Sequence, residues 1–357
     1  MGFLKKLFKK ESTVKIPRGF YNIPVQQINR LTKDAVEIVF NIPQNLKETF
    51  SFIPGQYLTL SVTINGKEER RSYSICSKKG ELLAIAVKEV ENGKVSPWFN
   101  KQLKVGESVL ISKPEGRFLL NSAKNIVAIA AGSGITPIMS MANEIESTDN
   151  ASMKLVYANK TESDILFRER LDKLTKTDKK YFLTQEQKEG FGQGRITKDA
   201  FMTIIKEDLG ILKADGFFIC GPEEMIQSVK TALELFGVSE SKIHFELFTT
   251  EAKSNPTPVT SSDFKGKTKV KVILDDETFD FEMHSGKTLL DAAMAEDLDA
   301  PYSCRGGVCS TCRAKVVKGT VKMNVNYTLT DKEVEQGYIL TCQSHPTSEE
   351  LIISYDE

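Results

Sequence analysis

Apolar and polar positions alternate through the first third of the chain. Val36-Glu37-Ile38-Val39-Phe40 and Tyr57-Leu58-Thr59-Leu60-Ser61-Val62 read as strands with one face toward a core. Asn65-Gly66, between two such runs, is a strong hairpin signal. Several short strands spaced by turns predict a small antiparallel β-barrel over residues 19–121, with one short helix near Ser96-Pro97-Trp98-Phe99-Asn100. From Asn125 the pattern changes to a buried-strand run at residues 126–131 and further strand runs at 154–157, 181–183, 217–219 and 243–245, separated by helical stretches. Strands alternating with helices predict a doubly wound α/β domain over residues 122–249. Thr136-Pro137 is expected to open one of its helices with Pro at the first position. Residues 250–266, with Ser254-Asn255-Pro256-Thr257-Pro258, read as a linker. In the last module, residues 267–357, the runs at 270–274 and 278–281 pair as a hairpin. A helix follows at 289–294, and Thr330-x-x-Glu333 is a capping box for a short helix before Cys342.

Composition narrows the setting. At 357 residues, 40% hydrophobic and 27% charged, the chain has material for two or three ordinary globular cores and too little polar bias for disorder. It contains no run of eighteen apolar residues, so no transmembrane helix and no stable membrane insertion are expected. Six Cys in this length do not make a secreted disulfide scaffold, and a reducing cytoplasm is the expected compartment. The net charge of zero hides an asymmetry. Residues 1–18 carry six Lys/Arg and one Glu, a basic tail of +5 that lacks the apolar stretch of a signal peptide. Residues 267–357 carry ten Lys/Arg and sixteen Asp/Glu, or −6. An acidic module speaks against nucleic acid and for a basic protein partner.

The most specific chemistry lies in that acidic module. Four residues separate Cys304 from Cys309, two separate Cys309 from Cys312, and twenty-nine separate Cys312 from Cys342. This is the C-x4-C-x2-C…C spacing of a plant-type [2Fe–2S] cluster. Gly306 and Gly307 allow a tight turn that aims amide N–H groups at the sulfurs. A structural zinc site is the alternative, but such sites use close Cys pairs, and the distant Cys342 fits that poorly.

Four further constellations carry weaker signals. Arg71-Ser72-Tyr73-Ser74, with Gly93-Lys94-Val95-Ser96, offers a planar ring contact, a guanidinium for a pyrophosphate and backbone donors at a helix start. A surface strand with a packing Tyr is the plain alternative. Gly132-Ser133-Gly134-Ile135-Thr136-Pro137 follows a strand and opens a helix, the placement in which glycines let a backbone approach a pyrophosphate. Cys220-Gly221-Pro222 ends a buried strand, where parallel sheets bind ligands, and Cys220 can border a nicotinamide or simply pack. Glu246-Leu247-Phe248 ends the last strand of the domain, so Glu246 and Phe248 point the same way, Phe248 to cover a flavin ring and Glu246 to handle protons or orient a nicotinamide, with ordinary packing as the plain alternative. After the second strand of this domain, Asn159-Lys160-Thr161 offers no acid to a ribose 2′-hydroxyl. Lys160, with Arg168 or Arg195, can neutralise a 2′-phosphate instead, so NADPH is expected over NADH.

Arg71-x-Tyr73-Ser74, Gly132-x-Gly134-x-x-Pro137, Cys220-Gly221-Pro222 and Glu246-x-Phe248, in this order, resemble the ferredoxin–NADP reductase superfamily. With the Cys304 to Cys312 loop and Leu340-Thr341-Cys342-Gln343 fused behind, the chain is similar to the reductase components of bacterial phenylacetyl-CoA ring-epoxidases. The resemblance covers residue 19 to the C-terminus. It implies a flavin barrel, a nicotinamide domain and an α+β β-grasp ferredoxin domain. It also implies FAD held at Arg71, Tyr73, Ser74, Gly93 and Ser96, with Cys304, Cys309, Cys312 and Cys342 as iron ligands. A related group with the same domain order uses FMN. Plant-type reductases end in Glu-x-Tyr, whereas this chain has Phe248 and continues. The expected role is an NAD(P)H-dependent oxidoreductase that passes electrons singly to a partner oxygenase. A general ferredoxin or flavodoxin reductase and a redox-sensing iron–sulfur protein are the alternatives. The linker is expected to let the acidic module dock first on the flavin domain and then on the partner.

Overall fold

The computed structural model describes residues 16–248, 266–284 and 286–357. The basic tail up to residue 15 and the linker at 250–265 lie outside the described residues. Strands β1 (Phe20–Thr32), β2 (Ala35–Phe40), β3 (Tyr57–Ile64), β4 (Lys67–Ser74), β5 (Ala84–Lys88) and β6 (Ser108–Ser112) form an antiparallel sheet of order β4-β3-β6-β1-β2-β5. A bridge between Ile75 and Ile85 ties its two edges together, so the sheet closes as a barrel. Asn65 and Gly66 both take positive φ, 52° and 76°, between the paired Ile64 and Lys67, and so make the expected two-residue hairpin. The barrel is filled by Ile23, Ile38, Phe40, Leu58, Leu60, Ile85 and Phe99. Phe99 lies on α1 (Val95–Lys101), the short helix predicted near Ser96.

The second sheet is parallel: β7 (Asn125–Ala131), β8 (Ser152–Asn159), β9 (Thr177–Leu183), β10 (Gly192–Gln193), β11 (Gly216–Gly221) and β12 (Ile243–Leu247), in the order β10-β9-β8-β7-β11-β12. Four helices cross over it: α2 (Ile135–Ser147), α3 (Arg168–Lys173), α4 (Lys198–Glu207) and α5 (Glu223–Leu235). The chain winds outward in both directions from β7, so β7 and β11 flank the switch point at which such sheets open a crevice. Pro137 does not stand first in α2. A 3₁₀ turn over Gly132–Gly134 runs directly into the helix and puts Pro137 third, still within the turn whose N–H groups have no helical acceptor.

The third unit is a mixed sheet of order β14-β13-β19-β15-β17, built from β13 (Lys267–Leu274), β14 (Glu277–His284), β15 (Arg313–Lys318), β17 (Tyr338–Leu340) and β19 (Glu350–Ser354). Helix α6 (Leu289–Ala295) packs on it, and β16 (Val321–Met323) pairs with β18 (Ser344–Pro346) beside it. This is a β-grasp arrangement. The capping box forms at α7 (Asp331–Glu335), where Thr330 and Glu333 exchange side-chain and backbone hydrogen bonds. Among the described residues no helix is long and apolar enough to cross a membrane.

Candidate functional site

The cysteine loop runs from α6 to β15. Its left-handed residues are Arg305, Gly307 and Ser310, with φ of 54°, 76° and 55°, so Gly307 supplies the turn and Gly306 does not. The Gly306 amide donates to Cys304 Sγ at 3.3 Å, and Gln343 Nε2 lies 3.7 Å from Cys342 Sγ. The four thiols fall into two neighbouring pairs, Cys304 with Cys309 and Cys312 with Cys342. The Cys309 thiol and the amides of Gly306, Val308 and Cys309 bring the Cys304 thiol down to about 6, and the Cys312 thiol lowers Cys342. Among the described residues no three His, Cys, Asp or Glu side chains converge as a single-ion site. Two thiol pairs with amide donors fit two irons, each held by one pair, better than one tetrahedral zinc.

The NAD(P) side of the site sits at the switch point. Gly134 packs so tightly on the Cys220 loop that a Cβ would lie 2.1 Å from the Cys220 carbonyl oxygen. Glycine is therefore required there to bring the two loops together. Gly132, at φ +54°, has open space where its Cβ would be. Thr136 turns its hydroxyl to the Ser133 carbonyl at 3.0 Å and so braces the loop. Pro222 caps α5, and the Phe248 amide donates to the Gly221 carbonyl at 3.1 Å, just past the end of β12. The carboxamide of Asn159, at the end of β8, is buried with no hydrogen bond to either atom. An orphaned amide there fits a polar ligand in the crevice. Lys160 is exposed. The two supporting cations are engaged elsewhere. Arg168 pairs with Asp172 at 2.7 Å and lies over the rings of Tyr181 and Phe191, while Arg195 pairs with Glu224 at 2.9 Å.

The residues expected to hold the flavin lie on β4, the loop before α1 and the first turn of α1. Glu69 joins them, 3.4 Å from Arg71 and 3.1 Å from Lys94. The Ser96 hydroxyl accepts from the Val90 amide at 2.9 Å, which tightens the Gly93 loop, and Val95 is buried beneath it. Tyr73 is set edge-on against Phe99, with centroids 5.7 Å apart. Ser74 Oγ lies 3.4 Å from Glu246 Oε2, so the barrel and the NAD(P) domain meet at that carboxyl. Burial pushes the Glu246 carboxyl up to about 8, against the lowering effect of Ser74. Burial also raises the Cys220 thiol, with Glu246 as a second cause. The remaining expected residue, Ser72, donates to Ser303 Oγ of the third unit at 2.8 Å.

Sequence reasoning missed a second residue that joins the cluster loop to the barrel. Tyr57, 4% exposed, donates its phenol to the Cys309 carbonyl at 2.6 Å and lies 3.0 Å from Thr311 Oγ1. Its β-ladder partner is Ser74. A Tyr at the start of an ordinary strand carries no local signal of such a contact, which spans 252 positions.

Comparison with known proteins follows the same division. Residues 22–119 match the oxidoreductase FAD-binding domain family, residues 128–231 the oxidoreductase NAD-binding domain family, and residues 272–347 the 2Fe-2S iron-sulfur cluster binding domain family. The chain is 34% identical over 355 residues to one of the subunits of the 1,2-phenylacetyl-CoA epoxidase of Escherichia coli (strain K12), covering 94% of this chain and 98% of the relative. It is 29% identical to the ferredoxin reductase component of 3-ketosteroid-9-alpha-monooxygenase of Rhodococcus rhodochrous, covering 96% and 100%. Among solved structures, phthalate dioxygenase reductase superposes with a TM-score of 0.59 at 22% identity, over 94% of this chain and 98% of that one, and so shares the fold.

Proposed function

Because the chain belongs to the ferredoxin–NADP reductase superfamily, in the branch with a fused [2Fe–2S] domain, we infer that it draws electrons from NAD(P)H and delivers them singly to an oxygenase component. When bound, FAD takes up the two-electron hydride of a nicotinamide and releases electrons one at a time, and the cluster carries one of them. The observation that carries the reading is the Tyr57–Ser74 pair. These two residues face each other across β3 and β4. One touches Glu246 of the NAD(P) domain and the other the Cys309 carbonyl of the cluster loop, so donor site and acceptor site meet on one rung of the barrel.

The residues of this chain then have separable tasks. Tyr73 and Ser74 position the flavin ring, and Arg71 with the Gly93–Ser96 backbone faces its phosphates. The Gly132 and Gly134 loop and the start of α5 receive the nicotinamide nucleotide. Glu246, held neutral at pH 7 by its burial, can donate a hydrogen bond beside the reacting rings without repelling the negative charge that hydride transfer leaves there. Phe248 and Cys220 border the same space. The Escherichia coli relative makes the hydroxylase component of a phenylacetyl-CoA epoxidase the first acceptor to test. The test combines this protein loaded with FAD and iron–sulfur, NADPH or NADH, and that hydroxylase component, in the presence of phenylacetyl-CoA and dioxygen. Oxygenated product should appear only with all three present, and its absence under all conditions would reject the oxygenase assignment. A reducing cytoplasm suits the four ligand thiols.

Coenzyme choice rests on Lys160. Hydrogen bonds to charged groups contribute about 1.5–3 kcal/mol. Lys160→Glu is therefore expected to shift the ratio of NADPH to NADH efficiency by about tenfold or more toward NADH. Steady-state kcat/KM with each coenzyme reads this directly, and an unchanged ratio removes Lys160 from that role.

A further inference from the structure

The flavin barrel meets its two neighbours through different chemistry. Toward the ferredoxin module its contacts are polar, with Arg70 Nη2 3.0 Å from Asp299 and Arg117 paired with Glu333. Toward the NAD(P) domain it shares an apolar core, in which Ala35, Val39, Ala84 and Phe118 join Ile138 and Met141 in one buried cluster. Strand β2 builds much of that core and is buried on both faces. Its residues Val36, Ile38 and Phe40 fill the barrel. By alternation Ala35, Glu37 and Val39 turn outward, toward the NAD(P) domain.

Glu37 breaks the apolar pattern of that outward row. It is 8% exposed and stands opposite Ala86 of β5. Its carboxylate pairs with Arg170 of α3, accepts from Asn29 Nδ2 at 3.1 Å and lies 3.8 Å from Cys76 Sγ. Taking a carboxylate out of water is costly, and apolar side chains of the same size would hold the two domains together at least as well. What the pair adds is direction. Apolar contact is non-directional, whereas a bonded ion pair inside it favours one register of the two surfaces. Arg170 is itself fixed, with its guanidinium 4.9 Å from the centroid of the Phe167 ring. Phe167 is buried at φ +60°, a conformation that a bulky residue keeps only where its surroundings over-determine it.

Two short connections run from this pair to the expected reacting site. Cys76, beside Glu37, follows Ser74 by two residues, and Ser74 Oγ lies 3.4 Å from Glu246. The carbonyl of Ser77 accepts from Ser140 of α2 at 2.8 Å, and α2 continues directly from the Gly132–Gly134 turn.

Resting on the electron-transfer reading, we propose that Glu37 and Arg170 are a positioning pair for hydride transfer. They fix how the NAD(P) domain sits on the flavin barrel and so set the approach of the nicotinamide to the flavin. They act through the Ser74 strand and α2, not on the reacting atoms. In the step they serve, a C–H bond of the dihydronicotinamide breaks and its hydride, a proton with two electrons, passes to the oxidised flavin. The nicotinamide is oxidised and the flavin reduced.

The test replaces the pair with apolar groups of similar size, Glu37→Leu/Arg170→Met, in the full chain loaded with FAD and iron–sulfur. Such replacements are often neutral or stabilising, so melting temperature and FAD content should match or exceed wild type. NADP+ affinity should stay close to wild type. The limiting rate of flavin reduction at saturating NADPH should nevertheless fall at least ~10-fold, because a misplacement of about 1 Å can cost about 10²-fold. The long-wavelength charge-transfer absorbance of stacked nicotinamide and flavin should weaken with it, and Arg170→Lys, which keeps the cation, should retain most of both. A double variant with the wild-type rate and absorbance would overturn the proposal. So would a slow rate matched by an equal loss of FAD or NADP+ binding, since the pair would then only hold the fold together. Glu37→Gln keeps the size of the side chain and a bond to Asn29, and it decides the matter if the double variant does not fold. It should slow flavin reduction severalfold and weaken the same absorbance, and equality with wild type in both would overturn the proposal. A wild-type flavin that neither NADPH nor NADH reduces would instead contradict the electron-transfer reading itself.

Discussion

Cys309→Ser is expected to abolish electron delivery to any acceptor protein while leaving NAD(P)H oxidation by ferricyanide close to wild type. Cys309 pairs with Cys304 through its thiol, and its carbonyl accepts the Tyr57 hydrogen bond. Changes in the shell around a metal site alone cost about 10–100-fold in affinity, so loss of a ligand thiol should cost at least ~100-fold. The flavin barrel and the NAD(P) domain share a core that holds no residue of the cluster module, so their function should survive. Iron content, the electron paramagnetic resonance signal after reduction, and ferricyanide-coupled NAD(P)H oxidation separate the two outcomes. Loss of flavin reduction together with the cluster would contradict modules that work independently.

Glu246→Ala is expected to slow flavin reduction at saturating NADPH by about 10²-fold, within the range of a positioned acid–base group, with a smaller effect on nucleotide binding. Rapid-mixing absorbance measures the limiting rate, and an unchanged rate would leave Glu246 a packing residue. The pH dependence gives a second signature. With its carboxyl raised to about 8, Glu246 is neutral below that value, so the wild-type rate should fall as pH rises through it. Glu246→Gln keeps a neutral donor and should show no such fall. Stability follows the same group. Between 4.5 and about 8 the folded protein binds a proton that the unfolded chain has released. The contribution is therefore full below 4.5 and is lost as pH rises to about 8, and Glu246→Gln should flatten that part of the profile of melting temperature against pH.

Features that depend on local spacing were legible in the sequence. The spacing of Cys304, Cys309 and Cys312, the Asn65-Gly66 hairpin, the capping box at Thr330 and the strand–loop–helix around Gly132 are each set within a few neighbouring residues. Their physics is local, through turn angles, helix ends and alternation. The placement of Pro137 was off because the 3₁₀ turn at Gly132–Gly134 starts the helical path earlier than the proline suggests. Strand β10 is two residues long, Gly192 and Gln193, and has no alternation to detect. Charge alone does not reveal the pairings of Arg168 with Asp172 and of Arg195 with Glu224, which depend on how the chain folds. The contacts at Tyr57, Arg70 and Arg117 join residues more than two hundred positions apart, and nothing in their own neighbourhoods marks them.

Central to this mechanism is the passage of electrons from NAD(P)H to the cluster through the flavin of the same chain. Anaerobic rapid mixing of the loaded protein with NADPH, and separately with NADH, tests it most directly when flavin absorbance and the cluster's paramagnetic signal are followed on one time axis. Bleaching of the flavin should come first, and the cluster signal should follow at a rate independent of protein concentration. A cluster signal that precedes flavin bleaching, or that grows in proportion to protein concentration, would contradict it.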